Sequence, residues 1–144
     1  MPDKYDALKL KNQLCFPLYA SAKEIVKQYK PYLDALDLTY TQYITMMVIW
    51  EHKKINVKEL GEYLYLDSGT LTPVLKKLEQ KGWVDRSRAK EDERILNVSL
   101  TIEGENLREK AVEIPGQVGK CLKLDKDEMI ALHRTLYKIL SGLT

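Results

Sequence analysis

The chain has 144 residues, of which 44% are hydrophobic, and this is enough for one packed domain without a second. Its net charge of +2 and pI near 8.4 exclude a globally basic nucleic-acid binder, so any basic surface must be local. Because it has no signal peptide, lipidation motif or apolar run of about 18 residues, we expect a cytoplasmic protein with reduced cysteines that does not enter a membrane.

The first predicted element is a long helix over residues 5–29, where apolar residues recur at helical spacing. It ends near Pro31, and a short helical turn over 32–36 follows. Pro17 lies two residues after Cys15. Either it kinks this helix, or it occupies a first helical position and places Cys15 just before a helix N-terminus; the sequence leaves both open.

A strongly apolar helix over residues 42–51 comes next, capped by Thr39 or Thr41. Its stripe at helical spacing predicts core packing and comprises Tyr43, Met46, Met47 and Trp50. Residues 54–56 are predicted to pair as a short strand.

Residues 57–103 predict two short helices, a strand, a charged loop and a second strand. Asp67 or Ser68 caps the second helix, and Gly82 ends it. This order is typical of a winged helix-turn-helix, whose hairpin is the wing. The predicted fold class is therefore mainly α with a small β-hairpin wing, extended by N- and C-terminal dimerisation helices.

The second helix of this block is the candidate recognition helix, because small polar residues at its start can approach base edges in a major groove. Arg94 at the wing tip suits the negative potential of a narrow minor groove, and Asp92 beside it can orient the guanidinium. The predicted DNA contacts are Ser68, Gly69, Thr70, Thr72, Pro73, Lys76, Lys77, Arg86, Arg88, Lys90, Asp92 and Arg94. The alternative is a solvated hairpin, which the acids Asp85, Glu91, Asp92 and Glu93 support.

After the wing, Thr101 is predicted to cap a helix over 102–113, Pro115 and Gly116 mark a break, and a last helix spans 126–140. We expect a single domain, 1–144, in which segments 1–36 and 102–144 dimerise around the winged block 55–101. A two-fold dimer would set its recognition helices about 34 Å apart and bind a palindromic operator in double-stranded DNA. Alternatively, the terminal helices complete the core of a monomer.

Six motifs resemble the MarR family of dimeric winged-helix repressors, and within it the organic-hydroperoxide-sensing (OhrR-like) branch. They are Asn12-Gln13-Leu14-Cys15-Phe16, Leu18-Tyr19-Ala20, Tyr29-Lys30-Pro31, the run from Leu38 to Tyr43, the run from Leu64 to Pro73, and Asp92-Glu93-Arg94. The resemblance covers nearly the full length and fades after Pro115.

This resemblance implies that Cys15 is a redox-sensing thiol that attacks an organic hydroperoxide as its thiolate. It also implies that hydroxyls of Tyr29 and Tyr40 support the thiolate from the partner subunit, with Tyr19 nearby. Oxidation of the homodimer would then release the operator. A lone cysteine among aliphatic residues is otherwise an inert core residue, and that alternative stays open.

Cys121 is the candidate resolving cysteine, because two-cysteine members of the branch carry the partner cysteine in the C-terminal region of the other subunit. Oxidised Cys15 would condense either with Cys121 or with a low-molecular-weight thiol. Neighbouring Gly116, Gly119 and Lys120 predict a mobile segment. The alternative is an incidental surface thiol.

Other function classes are less consistent with the sequence. A thiol peroxidase is disfavoured because no motif ties His52 or His133 to Cys15. A metal sensor is disfavoured because these residues do not have the spacing of metal ligands. We therefore predict a repressor that is not an enzyme and has no cofactor or metal. The nearest alternative is a MarR-like repressor controlled by a small aromatic ligand or by another thiol modification.

Overall fold

The computed structural model describes residues 3–144, which form a mainly helical fold with one small antiparallel sheet. The elements are α1 (Cys15–Asp34), α2 (Tyr40–His52), β1 (Lys54–Asn56), α3 (Val57–Leu64), α4 (Ser68–Gln80), β2 (Val84–Arg88), β3 (Leu96–Leu100), α5 (Ile102–Ala111), α6 (Ile114–Gly119) and α7 (Lys126–Leu143). Short 3-10 turns span Lys4–Leu8, Leu10–Asn12 and Lys120–Leu122. Across residues 3–144, no helix has the combined length and apolarity needed to cross a membrane.

The predicted start of the first long helix was wrong, because α1 begins only at Cys15. The Asn12 side-chain amide donates to the Asp6 carbonyl oxygen at 2.8 Å, and the Gln13 amide donates to the Ala7 carbonyl oxygen at 2.6 Å. These side chains occupy carbonyls that a continuous helix would bond through its backbone, so the chain makes 3-10 turns instead.

Pro17 does not interrupt α1. It is the third residue of the helix, within the first turn, where a backbone N–H would have no acceptor inside the helix. Cys15 is itself the first helical residue. This is closer to the alternative in which Cys15 lies at a helix N-terminus than to the one in which Pro17 kinks a continuous helix.

The predicted end near Pro31 was also wrong. Pro31 removes one backbone hydrogen bond, but α1 continues to Asp34, and Leu33 beyond it is only 2% exposed. Burial of this last turn in the core therefore outweighs the local cost of the proline. The separate helical turn predicted for 32–36 is in fact the end of α1.

Helix α2 lies at the centre of the core, with Met46 and Ile49 fully buried. The predicted cap at Thr39 is confirmed, since Thr39 and Gln42 form a reciprocal capping box. Met47 is 43% exposed, so its predicted core position was wrong; the buried face centres on Met46 and Ile49, and Met47 lies at its edge.

The predicted winged block is confirmed in its elements and their order. The sheet order is β1-β3-β2, with both pairs antiparallel, so the predicted short strand at 54–56 adds to the wing hairpin. Gly82 ends α4 with a φ of 81°, the left-handed turn that glycine favours.

The C-terminal part differs from the prediction in one segment. Pro115 and Gly116, predicted to mark a break, lie within α6, and Ile114 and Val118 are buried one helical turn apart. The segment near Gly116, Gly119 and Lys120, predicted to be mobile, is therefore helical. Helix α7 starts from a capping box between Asp125 and Glu128, and none of its residues is buried.

Candidate nucleic-acid interface and thiol sensor

The start of α4 presents the predicted DNA-facing surface. Asp67 caps the helix by accepting the Thr70 backbone N–H at 2.7 Å, and hydrogen bonds from the Thr70 side chain and backbone lower the pKa of Asp67. The inner face is formed by buried Leu71, Leu75 and Leu78. The outer face carries exposed Ser68, Gly69, Thr70, Thr72, Pro73, Lys76 and Lys77.

The wing tip holds Arg94 outward in a defined orientation. Its side chain is 91% exposed, and its guanidinium makes two hydrogen bonds to the Asp92 carboxylate, at 3.1 and 3.2 Å. Hydrogen bonds from the Arg94 side chain and backbone lower the pKa of Asp92. Arg88 and Lys90 are also exposed, so the wing presents three cations to solvent.

Arg86 differs from the other wing cations. It makes hydrogen bonds from its backbone N–H and guanidinium to Glu79 on α4, at 2.9 to 3.2 Å, and its side chain is 23% exposed. This contact ties the wing to α4, the candidate recognition helix, and direct binding of DNA by Arg86 stays a prediction. Sequence reasoning did not identify Glu79, whose partner lies on a different element.

A concave surface runs between α3, the start of α4 and the wing. Predicted DNA residues that line it are Ser68, Thr72, Arg88 and Arg94, together with the cap Asp67. Lys58 and Tyr65 also line it, and neither was predicted. Lys58 lies two residues after Asn56, the N-cap of α3. This cap is a sequence signal that could have placed Lys58 at the start of a helix.

A cluster of three tyrosines joins α1 to α2; we refer to it as the tyrosine cluster. The rings of Tyr29 and Tyr40 meet edge to face with centroids 5.0 Å apart, and Tyr43 lies 5.7 and 6.2 Å from them. Sequence reasoning assigned Tyr43 only to the core, although its spacing from Tyr40 places both on one helical face.

The hydroxyls of the tyrosine cluster are neutral donors at physiological pH. Burial raises the pKa of Tyr29, and burial followed by repulsion from Tyr29 raises the pKa of Tyr40. The same effects, with repulsion from Tyr40 added, raise the pKa of Tyr43 to about 12.

Both cysteines are exposed, and Cys15 does not reach the tyrosine cluster of its own chain along α1. Cys15 begins the helix, and Tyr29 lies about 21 Å further along its axis at the usual helical rise. Tyr19 is one turn from Cys15 and is 66% exposed. Cys121 lies in the 3-10 turn after α6, where its thiol makes a weak hydrogen bond to the Gln117 carbonyl oxygen at 3.8 Å.

No three His, Cys, Asp or Glu side chains in the described part of the chain are placed to hold a metal ion. A family model described as transcriptional regulator SarA/Rot matches residues 27–114. The organic hydroperoxide resistance transcriptional regulator of Bacillus subtilis is 51% identical over 143 residues, which cover 99% of this chain and 97% of that protein.

The chain belongs to the SarA/Rot family of winged-helix transcriptional regulators. The predicted likeness to MarR proteins is confirmed as well. The reduced form of Escherichia coli MarR is 30% identical, with a TM-score of 0.73 over 89% of this chain and 96% of that one. The SarA/Rot family and the Bacillus subtilis relative are both named as transcriptional regulators, which supports the prediction that this family member is not an enzyme.

AbfR of Staphylococcus epidermidis provides a DNA-bound neighbour of this family member. Reduced AbfR bound to DNA is 35% identical, with a TM-score of 0.80 over 98% of this chain and 99% of that one. AbfR is also known in a disulfide form, which matches this chain with a TM-score of 0.67. These relatives confirm the winged-helix fold class.

Proposed function

We propose that this chain is a dimeric repressor that releases its DNA operator when an organic hydroperoxide oxidises Cys15. The observation that carries the proposal is the separation of two complementary halves of a thiol site. Cys15 lies exposed at the start of α1, and Tyr29, whose ring packs against that of Tyr40, lies about 21 Å further along the helix axis.

A two-fold dimer resolves this separation. If the start of α1 packs against the tyrosine cluster of the partner, each interface gains a Cys15 with phenolic donors beside it, and the symmetry makes two such sites. Helices α1 and α5 to α7, within segments 1–36 and 102–144, are the proposed dimerisation elements around the winged block 55–101. Helix α7 supports this assignment, because none of its residues is buried within its own chain.

The tyrosine cluster suits a thiolate chemically. A thiol attacks a peroxide only as its anion, and hydrogen bonds to the anion favour it. Because Tyr43 and its neighbours have raised pKa values, they remain protonated donors and add no competing negative charge.

The oxidation step follows ordinary sulfenic-acid chemistry. The Cys15 sulfur attacks the terminal peroxide oxygen, an S–O bond forms as the O–O bond breaks, and the alkoxide leaves as the alcohol after taking a proton. Sulfur is oxidised and the hydroperoxide is reduced. The resulting sulfenic acid no longer accepts the same hydrogen bonds from the partner's tyrosine cluster.

DNA recognition is proposed for the outer face of α4 in a major groove and for Arg94 in the adjacent minor groove. The exposed cations on both elements, including Lys76, Lys77, Arg88 and Lys90, would contact phosphates. A dimer doubles this surface and fits a palindromic duplex. Loss of the Cys15 contacts would change the angle between the winged blocks of the two subunits. A coupling free energy of ~3 kcal/mol between oxidation and DNA binding lowers the affinity for DNA roughly 100-fold.

The fate of the sulfenic acid has two proposed routes. Condensation with Cys121 of the partner gives a disulfide-linked dimer, whereas condensation with a low-molecular-weight thiol leaves a mixed disulfide. The exposure of both cysteines permits either route. After cumene hydroperoxide treatment, a non-reducing gel distinguishes them: a linked dimer that disappears in Cys121→Ser supports the first, and an unchanged monomer band excludes it.

The test of the proposed function uses a palindromic duplex selected from a random DNA pool with the reduced protein; we refer to it as the selected duplex. Its dissociation constant is measured for wild type, Cys15→Ser and Cys121→Ser, before and after cumene hydroperoxide and again after dithiothreitol. We expect roughly 100-fold reversible weakening in wild type and none in Cys15→Ser. Equal affinity of oxidised and reduced wild type would contradict the proposal, and release by an added aromatic acid under reducing conditions would favour a ligand-controlled repressor.

A further inference from the structure

Lys81 follows the last residue of α4, and its side chain crosses to the turn that connects α1 to α2. Its ammonium donates to the Asp37 carbonyl oxygen and to Gln42 Oε1 at 3.2 Å, and it lies 3.5 Å from the Asp37 carboxylate. It also lies 5.1 Å from the centroid of the Trp83 ring. One lysine therefore joins the end of the recognition helix to residues 37–42.

The acceptor on α2, Gln42, belongs to the same helical turn as Tyr40 and Tyr43 of the tyrosine cluster. Gln42 is 7% exposed and lies between Tyr40 and Tyr43 in sequence. Its Oε1 also accepts the Thr39 backbone N–H at 3.1 Å, and its own N–H donates to Thr39 Oγ1 at 3.2 Å. Because this capping box fixes the first turn of α2, a displacement of Tyr40 or Tyr43 carries Gln42 with it.

The Lys81 end of the contact is fixed equally well. The N–H groups after Lys81 bond back to α4: Gly82 donates to the Glu79 carbonyl oxygen at 2.9 Å, and Trp83 donates to that of Leu78 at 3.1 Å. The backbone of Lys81 is therefore part of the recognition helix end.

This contact resists separation. The Lys81 side chain is only 21% exposed, so an ammonium that lost its acceptors would remain largely desolvated. Charge-assisted hydrogen bonds also fix direction, whereas apolar surfaces can slide past each other. A shift at residues 37–42 is consequently transmitted to α4.

We propose that Lys81 is the positioning residue that couples the tyrosine cluster to the recognition helix. When the cluster rearranges on oxidation of the partner's thiol, the Lys81 contact carries α4 along with the first turn of α2 and spoils its fit to DNA. This inference rests on the proposed redox function, and it adds a specific path from sensor to DNA within one subunit.

The test compares the affinity ratio of reduced and oxidised protein for the selected duplex in four proteins. Lys81→Met keeps the aliphatic stem and removes the donors, and Lys81→Arg keeps the charge. Lys53→Met is the matched control, because the Lys53 ammonium lies 2.8 Å from Glu105 and links the other end of α2 to α5. Mass spectrometry confirms equal oxidation of Cys15 in every sample.

We expect wild type and Lys53→Met to weaken roughly 100-fold on oxidation, Lys81→Met by less than about 10-fold, and Lys81→Arg by an amount close to wild type. A uniform loss of stability would not produce this pattern, because the ratio compares two states of the same protein. A Lys81→Met protein that is released as fully as wild type overturns the inference.

Two further outcomes are separable. Wild type that keeps its affinity after oxidation refutes the redox function, and the coupling is refuted with it; that result appears in the wild-type arm alone. If Lys81→Met fails to fold by circular dichroism, Lys81→Gln, which retains a polar end, replaces it. If the affinity ratio of reduced and oxidised Lys81→Gln equals that of wild type, the inference is also overturned.

Discussion

The indole Nε1 of Trp50 donates a hydrogen bond to the carbonyl oxygen of Gly104 at 2.8 Å, and this joins the last turn of α2 to the first turn of α5. A side chain at Gly104 would collide with the Trp83 carbonyl oxygen and approach Leu100 Cδ1 to 2.7 Å. Since Trp83 lies between the end of α4 and the start of β2, α5 packs directly on the connection between the proposed recognition helix and the wing. Helix α2 is thus joined at its start to the end of α4 through Lys81 and at its last turn to α5.

Gly104→Ala is expected to lower the free energy of unfolding by about 1–3 kcal/mol, because the new methyl group meets backbone that cannot move aside easily. Gly116→Ala is the control, since no atom lies within 4 Å of an added Cβ and alanine favours helix α6. Urea unfolding of both variants measures the difference. Equal stability of the two would contradict the close packing of α5 on the wing.

Arg94→Ala is expected to weaken binding of the selected duplex and to reduce the slope of log K against log salt by about 1, because one cation is withdrawn from DNA. Lys27→Ala, which removes an exposed lysine paired with Glu24 on α1, should leave the slope unchanged. Titrations by fluorescence anisotropy at several salt concentrations provide the measurement. If the two variants share one slope, the wing tip does not contact DNA.

Mixed dimers test whether the thiol site is shared between subunits. In a heterodimer of Cys15→Ser with Tyr40→Phe, a cross-subunit arrangement leaves one site with both Cys15 and Tyr40, whereas an arrangement within one chain leaves none. We expect the heterodimer to consume cumene hydroperoxide at about half the initial wild-type rate per dimer, and much faster than the Tyr40→Phe homodimer. A heterodimer as slow as that homodimer would place the tyrosine and thiol in one chain.

Alkaline titration tests the burial of the tyrosine cluster. The pKa of Tyr43 is raised from 10.0 to about 12, so the folded state holds this proton more tightly than the unfolded state does. The stability from this difference is present below pH 10 and is lost as pH rises toward 12. Wild type should therefore lose more stability across this range than Tyr43→Phe; identical pH slopes in urea unfolding would show that Tyr43 is not desolvated.

The winged block could be predicted because each of its boundaries has a local cause. Asp67 caps α4, Gly82 supplies the left-handed turn that ends it, and apolar residues alternate along β3. The orientation of Arg94 by Asp92 was predictable for the same reason, since the two residues are neighbours in sequence.

The errors arose where side chains or distant packing decide the backbone. The amides of Asn12 and Gln13 divert the N-terminal segment into 3-10 turns, and burial of Leu33 carries α1 through Pro31. No local pattern reports these contacts. The link from Lys81 to Gln42 was equally beyond prediction, because its partners are distant in sequence and meet only in the folded chain.

Helix α7 is 18 residues long, about 27 Å at the usual helical rise, and it buries none of them in its own chain. Apolar residues such as Ile130, Leu132 and Ile139 on this helix are instead 38 to 47% exposed. In the proposed dimer these side chains become buried only when two subunits associate, so folding and assembly are linked by mass action. The midpoint of thermal unfolding should then rise with protein concentration, and dilution alone would weaken both the fold and the repressor.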